Sequence, residues 1–219
     1  MHDLFPMRPG LADPIRIVQL IYAVLAVELV VALIESRWSL AFIAMATMGL
    51  AAIPHRLASR FAIRLPTSFI AAITVFVFAT IFLGEALDFY NRYWWWDVAL
   101  HGGSAIGFGL VGFLFAFMLF EGDRYAAPPW AIGVIAFCFA VSIGVMWEIF
   151  EFAMDSFFGL NMQKSGLPDT MGDLIVDVIG AAIGGLAGFL YLKRLQFGGL
   201  TAMIEGFVRA NRDWFRKYR

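Results

Sequence analysis

Six apolar stretches, each long enough to cross a bilayer and joined by short polar connections, constrain this chain more than any other feature. They run at about Ile17 to Ile34, Trp38 to Pro54, Thr67 to Gly84, Val98 to Phe120, Trp130 to Phe152 and Asp173 to Leu192. In hydrocarbon each backbone N–H and C=O must be satisfied within its own segment, so such stretches are helices. The composition agrees. Hydrophobic residues make up 61% of the 219, with a mean hydropathy of +0.78, against roughly 45–50% apolar residues in soluble domains. The expected fold is all-α: a polytopic transmembrane helix bundle of six spans forming one domain over residues 1–192, with a basic amphipathic tail over 193–219. Cys138, the one cysteine, lies in an apolar run, which excludes an intrachain disulfide and a cysteine metal motif. The N-terminus, MHDLFPMRPGLADP, lacks the basic region and short apolar core of a signal peptide, so the first span is expected to stay in the protein.

Orientation follows from Lys and Arg. With six spans the termini share a side with the second and fourth connections. Arg8, Arg16, Arg56, Arg60, Arg64, Arg124, Lys193, Arg194, Arg209, Arg212, Arg216, Lys217 and Arg219 fall there, and Arg37, Arg92 and Lys164 fall opposite, thirteen of the sixteen against three. Basic residues stay on the cytoplasmic side, so both termini are expected in the cytoplasm. The tail from Lys193 interleaves its basic residues with Leu200, Ile204, Phe207, Val208, Trp214 and Phe215. That pattern predicts a helix lying on the cytoplasmic leaflet with its apolar side in the acyl boundary. Tyr90, Tyr93, Trp94, Trp95 and Trp96 form an aromatic cluster suited to the opposite interface, as an anchor or as a stacking surface for substrate.

The carboxylates are biased the other way. Glu85 and Asp88 close the third span, Asp97 opens the fourth, Glu148, Glu151 and Asp155 close the fifth, and Asp169, Asp173 and Asp177 open the sixth. Each trio has the spacing of one helix face, i, i+3, i+7 in the fifth span and i, i+4, i+8 in the sixth. Asp97, His101 and Ser104 make a third strip at i, i+4, i+7. Acids at helix N-termini can be ordinary caps, which leaves Asp97, Asp169 and Asp173 open to either reading. At a helix C-terminus the dipole disfavours negative charge, so Glu85, Asp88, Glu148, Glu151 and Asp155 need something that offsets it. Ionisable residues at the depth of Glu148, Asp177 and His101 face a bundle interior and mark function.

Nine carboxylates against Arg92 and Lys164 cannot all be ionised in a small dry volume. Protons or divalent cations must neutralise them. An oxygen-rich set with one imidazole suits Mn, Mg or Ca and permits Fe or Zn. The expected ligands are His101, Glu148, Glu151, Asp173 and Asp177, with Asp97 orienting the imidazole and Glu85, Asp88, Arg92, Ser104, Asp155 and Asp169 in support. Gly180, Gly184 and Gly188, and Gly103 with Gly107, recur every fourth residue and predict close helix approach.

The blocks EALDFYNRYWWWDVALHGGSA, VMWEIFEFAMD and DTMGDLIVDVIGAAIGG resemble the bacterial inner-membrane family typified by YjdF. The resemblance implies a polytopic inner-membrane protein and carries no substrate. The last two spans alone are similar to VanZ-like proteins, but Asp177 replaces an expected Asn and the Asp97/His101 strip is additional, so a role in antibiotic resistance is not carried over.

Three functions fit. The first is a metalloenzyme acting on a lipid or lipid-linked substrate at the outer leaflet, the second a proton- or cation-coupled transporter, the third a structural or assembly protein. The partners expected are the bilayer and a lipid-linked substrate, a homo-oligomer is compatible, and nucleic acid is not expected.

Overall fold

The computed structural model describes residues 13–120 and 127–215. Among these the chain is helical without strands, and six helices are long and apolar enough to cross a membrane. Arg8, Arg124, Arg216, Lys217 and Arg219 of the charge tally lie outside the described residues. The helices are α1 (Pro14–Ile34), α2 (Trp38–Arg60), α3 (Thr67–Val77), α4 (Phe89–Arg92), α5 (Trp96–Phe120), α6 (Pro129–Phe158), α7 (Leu167–Leu192) and α8 (Gly198–Ala210). A π-helical segment, Phe78–Ala86, continues α3, and the two together make the third span.

The boundaries differ from expectation where a helix former was discounted. Helix α2 passes through Pro54 to Arg60, because one proline removes one donor from an otherwise continuous ladder. Helix α6 continues past Phe152 to Phe158, where Gly159 (φ 67°) ends it in the left-handed conformation. Helix α7 begins at Leu167 with Pro168 in its first turn. Glu148 therefore lies ten residues inside α6, roughly 15 Å from its end at about 1.5 Å per residue.

The helices form two compact units, one ending at Phe89 and one beginning at Tyr90. In the first, Ile21, Leu25 and Ala32 of α1 pack with Leu40, Ala41 and Ala44 of α2 and with Phe82. The buried Thr47 and Thr74 satisfy their hydroxyls within their own helices, Thr47 donating to the Ile43 carbonyl at 2.7 Å and Thr74 to that of Ile70 at 2.8 Å. Asp88, just beyond the π-helical segment, takes φ 61°, a conformation Asp tolerates better than most residues.

In the second unit α5, α6 and α7 pack mutually through glycine. A Cβ placed on Gly184 would lie 2.8 Å from Gly109 Cα and 2.8 Å from the Ile106 carbonyl oxygen, and one on Gly180 would lie 2.6 Å from the Gly102 oxygen. Gly185 meets the Gly133 carbonyl of α6 in the same way, at 2.7 Å. The close approach expected at Gly103 and Gly107 falls instead at Gly102 and Gly109, since a Cβ at 103 or 107 has nothing within 4 Å.

Helix α8 forms within the expected amphipathic tail, and part of its apolar side is covered by protein. Ile204 is fully buried and Phe215 nearly so, and Phe215 stacks on Phe117 of α5 with ring centroids 5.3 Å apart. Phe215 joins an aromatic group on protein, touching Phe117 and Phe207, and Phe117 in turn meets Phe113 and Tyr191. The rest of the apolar surface is outward, with Leu20, Val27, Phe42, Phe152 and Ile175 all exposed, the arrangement a lipid solvent favours.

Candidate functional site

Three helices of the second unit bring their polar strips together. Helix α5 supplies Asp97 and His101, one turn apart. Helix α6 supplies Gly144, Glu148 and Glu151 along one face, and α7 supplies Asp169, Asp173 and Asp177. His101, Glu148, Asp173 and Asp177 are all buried. The imidazole is the hub. Its Nδ1 lies 3.3 Å from each carboxylate oxygen of Asp177. On the other side Nε2 lies 3.9 Å from Asp97 Oδ1 and 3.8 Å from Glu148 Oε1, too long for hydrogen bonds. Asp97, His101 and Asp173 each bring one potential ligand atom to within 4.8 Å of the others.

Glu148 is the anomaly. It is 4% exposed, and neither carboxylate oxygen has a hydrogen-bond partner among the described residues. Thr170 of α7 approaches the same carboxylate, but outside hydrogen-bond geometry, and its hydroxyl accepts from Gln163 Nε2 at 2.7 Å. Such a carboxylate in a dry interior carries a penalty of several kcal/mol unless a cation or a proton compensates it.

The remaining acids have separate partners. Glu151 accepts from Trp147 Nε1 at 2.9 Å on its own helix. Asp155 accepts from the backbone N–H groups of Met162 at 2.7 Å and Gln163 at 2.9 Å, so it ties the connection between α6 and α7 to the end of α6. Asp169 lies within electrostatic reach of Asp97, His101 and Lys164. Lys164 Nζ is buried over the Tyr90 ring, 4.2 Å from its centroid. Ser104 turns back to the His101 carbonyl at 2.9 Å, an intrahelical bond. Arg92 is exposed on α4. Glu85 and Asp88 belong to the first unit, and the cluster described here is built from the second alone.

Gly144 escaped the reading from sequence. A Cβ there would overlap the Asp177 carboxylate, so the bare backbone of α6 forms the hollow in which that side chain rests. The available signal was its place one turn before Glu148 on the same helix face.

Helices of this length and outward apolarity, enclosing a buried imidazole and carboxylates, define a polytopic all-helical membrane protein with an ionisable interior cluster. Residues 17–194 match the family described as "Predicted membrane protein (DUF2238)", and the chain belongs to that family. A Thermotoga maritima protein described as uncharacterized is 32% identical over 118 residues, which cover 54% of this chain and 59% of that relative. No solved structure matches the chain.

Proposed function

We propose that the cluster binds a divalent cation, with Asp97, His101 and Asp173, whose donor atoms lie within 4.8 Å of one another, as its core ligands and Glu148 drawn in to join them on binding. The observation that carries this reading is Glu148, buried at 4% exposure with both oxygens unpartnered and Oε1 3.8 Å from Nε2. Two donors bound to one ion at about 2.1 Å are separated by roughly 3.0–3.4 Å when adjacent and about 4.2 Å when opposed. The distances of 3.8 and 3.9 Å around Nε2 exceed the adjacent spacing by several tenths of an ångström, so Asp97 and Glu148 would close on the ring as the ion binds. Three carboxylates and one imidazole suit Mn, Mg or Fe and accept Zn or Ca. We further place the protein in the bacterial inner membrane with both termini cytoplasmic and the cluster toward the outer face, on the thirteen-to-three distribution of Lys and Arg. In that setting the ion serves as a Lewis acid or a source of bound hydroxide for a lipid or lipid-linked substrate.

The test is elemental analysis of protein purified in detergent without added metal, repeated on Glu148→Gln and His101→Ala. Stoichiometric metal in the native protein, lost in both variants, is the expected result. Native protein free of metal at neutral pH that stays free after incubation with Mn, Mg, Fe, Zn or Ca overturns it. Proton flux in liposomes, abolished in Glu148→Gln, would then favour the transport reading. Topology is checked separately in a Cys138→Ser background, where Ser165→Cys is expected to be labelled from the periplasmic side.

A further inference from the structure

We infer that Asp177 is a positioning residue that grips His101 by Nδ1 and is not an ion ligand, and that Gly144 is the structural requirement for that grip. The consequence for metal affinity rests on the cation reading above, while the grip itself does not. The two nitrogens of an imidazole point away from each other, and the hydrogen bond made by one decides what the other offers. Both oxygens of Asp177 lie 3.3 Å from Nδ1, so the carboxylate straddles that N–H. Asp97 and Glu148 face Nε2 at the opposite side of the ring. Asp177 is also the most enclosed member of the cluster at 2% exposure. It also lies directly against α6, where position 144 has no room even for a methyl group beside the carboxylate. A carboxylate held against the α6 backbone and in contact with Nδ1 is placed to orient the ring, leaving Nε2 to the ion. Carboxylate–histidine–metal triads use this arrangement to fix the tautomer and to raise the basicity of the ligand.

The assignment exchanges the roles of two aspartates. Asp97, expected to orient His101 from one turn away on the same helix, is on the ligand side. Asp177, expected among the ligands, is behind the ring.

The experiment uses full-length protein in nanodiscs with histidine labelled by 15N. His2 and His55 are replaced by Gln, so that His101 is the one of three histidines left to observe. In metal-free protein the Nδ1–H resonance is expected to carry the shift of a strong hydrogen bond, and to lose it in both Asp177→Asn and Gly144→Ala. An Nδ1 resonance unchanged in both variants overturns the grip, whether or not metal binds. With 113Cd added, spin coupling is expected at Nε2, with Nδ1 still protonated and with affinity about 10–100-fold weaker in Asp177→Asn. Coupling at Nδ1 would make Asp177 a competitor or a ligand and refute the assignment. If wild-type protein takes up neither Cd nor any of Mn, Mg, Fe, Zn and Ca while the Nδ1 shift responds to both variants, the cation reading fails and the positioning role stands. Asp177→Asn retains the side-chain volume, so a folding defect in Gly144→Ala leaves the result interpretable.

Discussion

Replacing Gly184 by alanine tests how the second unit is held together, and its effect can be worked from the backbone geometry. The new Cβ would lie 2.8 Å from Gly109 Cα, 2.8 Å from the Ile106 oxygen and 3.2 Å from the Gly109 carbonyl carbon. Optimal carbon–carbon contact is about 3.5–4.0 Å, so α5 and α7 must separate by roughly 0.7 Å or more at this level. The obstructing atoms are backbone, and no rotamer change can make room. Overpacking of this kind costs about 1–3 kcal/mol, and in lipid, packing is itself a main force between helices. Alanine also gains roughly 0.8–1 kcal/mol of helix propensity over glycine, which would obscure the result if Gly184→Ala were measured alone. Gly103→Ala supplies the control, because position 103 is exposed on α5 with nothing within 4 Å of its Cβ. The propensity gain is common to both variants, so their difference isolates the packing cost. Equilibrium unfolding in mixed detergent micelles should place Gly184→Ala about 1–3 kcal/mol below Gly103→Ala. Two variants within about 0.5 kcal/mol of each other, below the range expected for overpacking, would refute the reasoning that glycine contact joins α5 to α7.

Three further outcomes follow from the second unit. Glu148→Gln keeps the shape of the buried side chain and removes its need for a proton or a cation, so metal-free protein should unfold at no lower a temperature and the stabilisation by added Mn should shrink. A lower melting temperature without metal would contradict this. Asp155→Ala strips two charge-assisted bonds from the Met162 and Gln163 N–H groups. It should cost about 1–3 kcal/mol and speed proteolysis at residues 160–166, with metal affinity changing less than in Glu148→Gln. Phe215→Ala deletes the stack on Phe117, and hydrogen exchange should quicken through α8 while α5 to α7 stay protected; unchanged exchange in α8 would place its anchor elsewhere.

Apolar length and charge placement reveal the helices and the acidic strips because both depend on periodicities within one segment. The extensions of α6 to Phe158 and of α7 back to Leu167 were harder to read, because Glu151, Asp155 and Asp169 lower hydropathy where helical backbone continues. That His101 and Glu148 belong together followed from depth alone: ionisable groups inside apolar helices need one another. Which carboxylate meets which ring nitrogen depends on the rotation of three helices about their axes. Small residues govern that rotation, and a sequence shows several equivalent candidates. Gly102 and Gly103 are adjacent, yet one faces α7 within 3.1 Å of Val176 and the other faces nothing within 4 Å. Turning α5 by the 100° that separates neighbours on a helix would point His101 away from Asp177. The glycines at 102, 109, 144, 180 and 184 therefore belong to the site as much as its acids do, since they fix the rotation that sets Asp177 behind the imidazole and Glu148 in front of it.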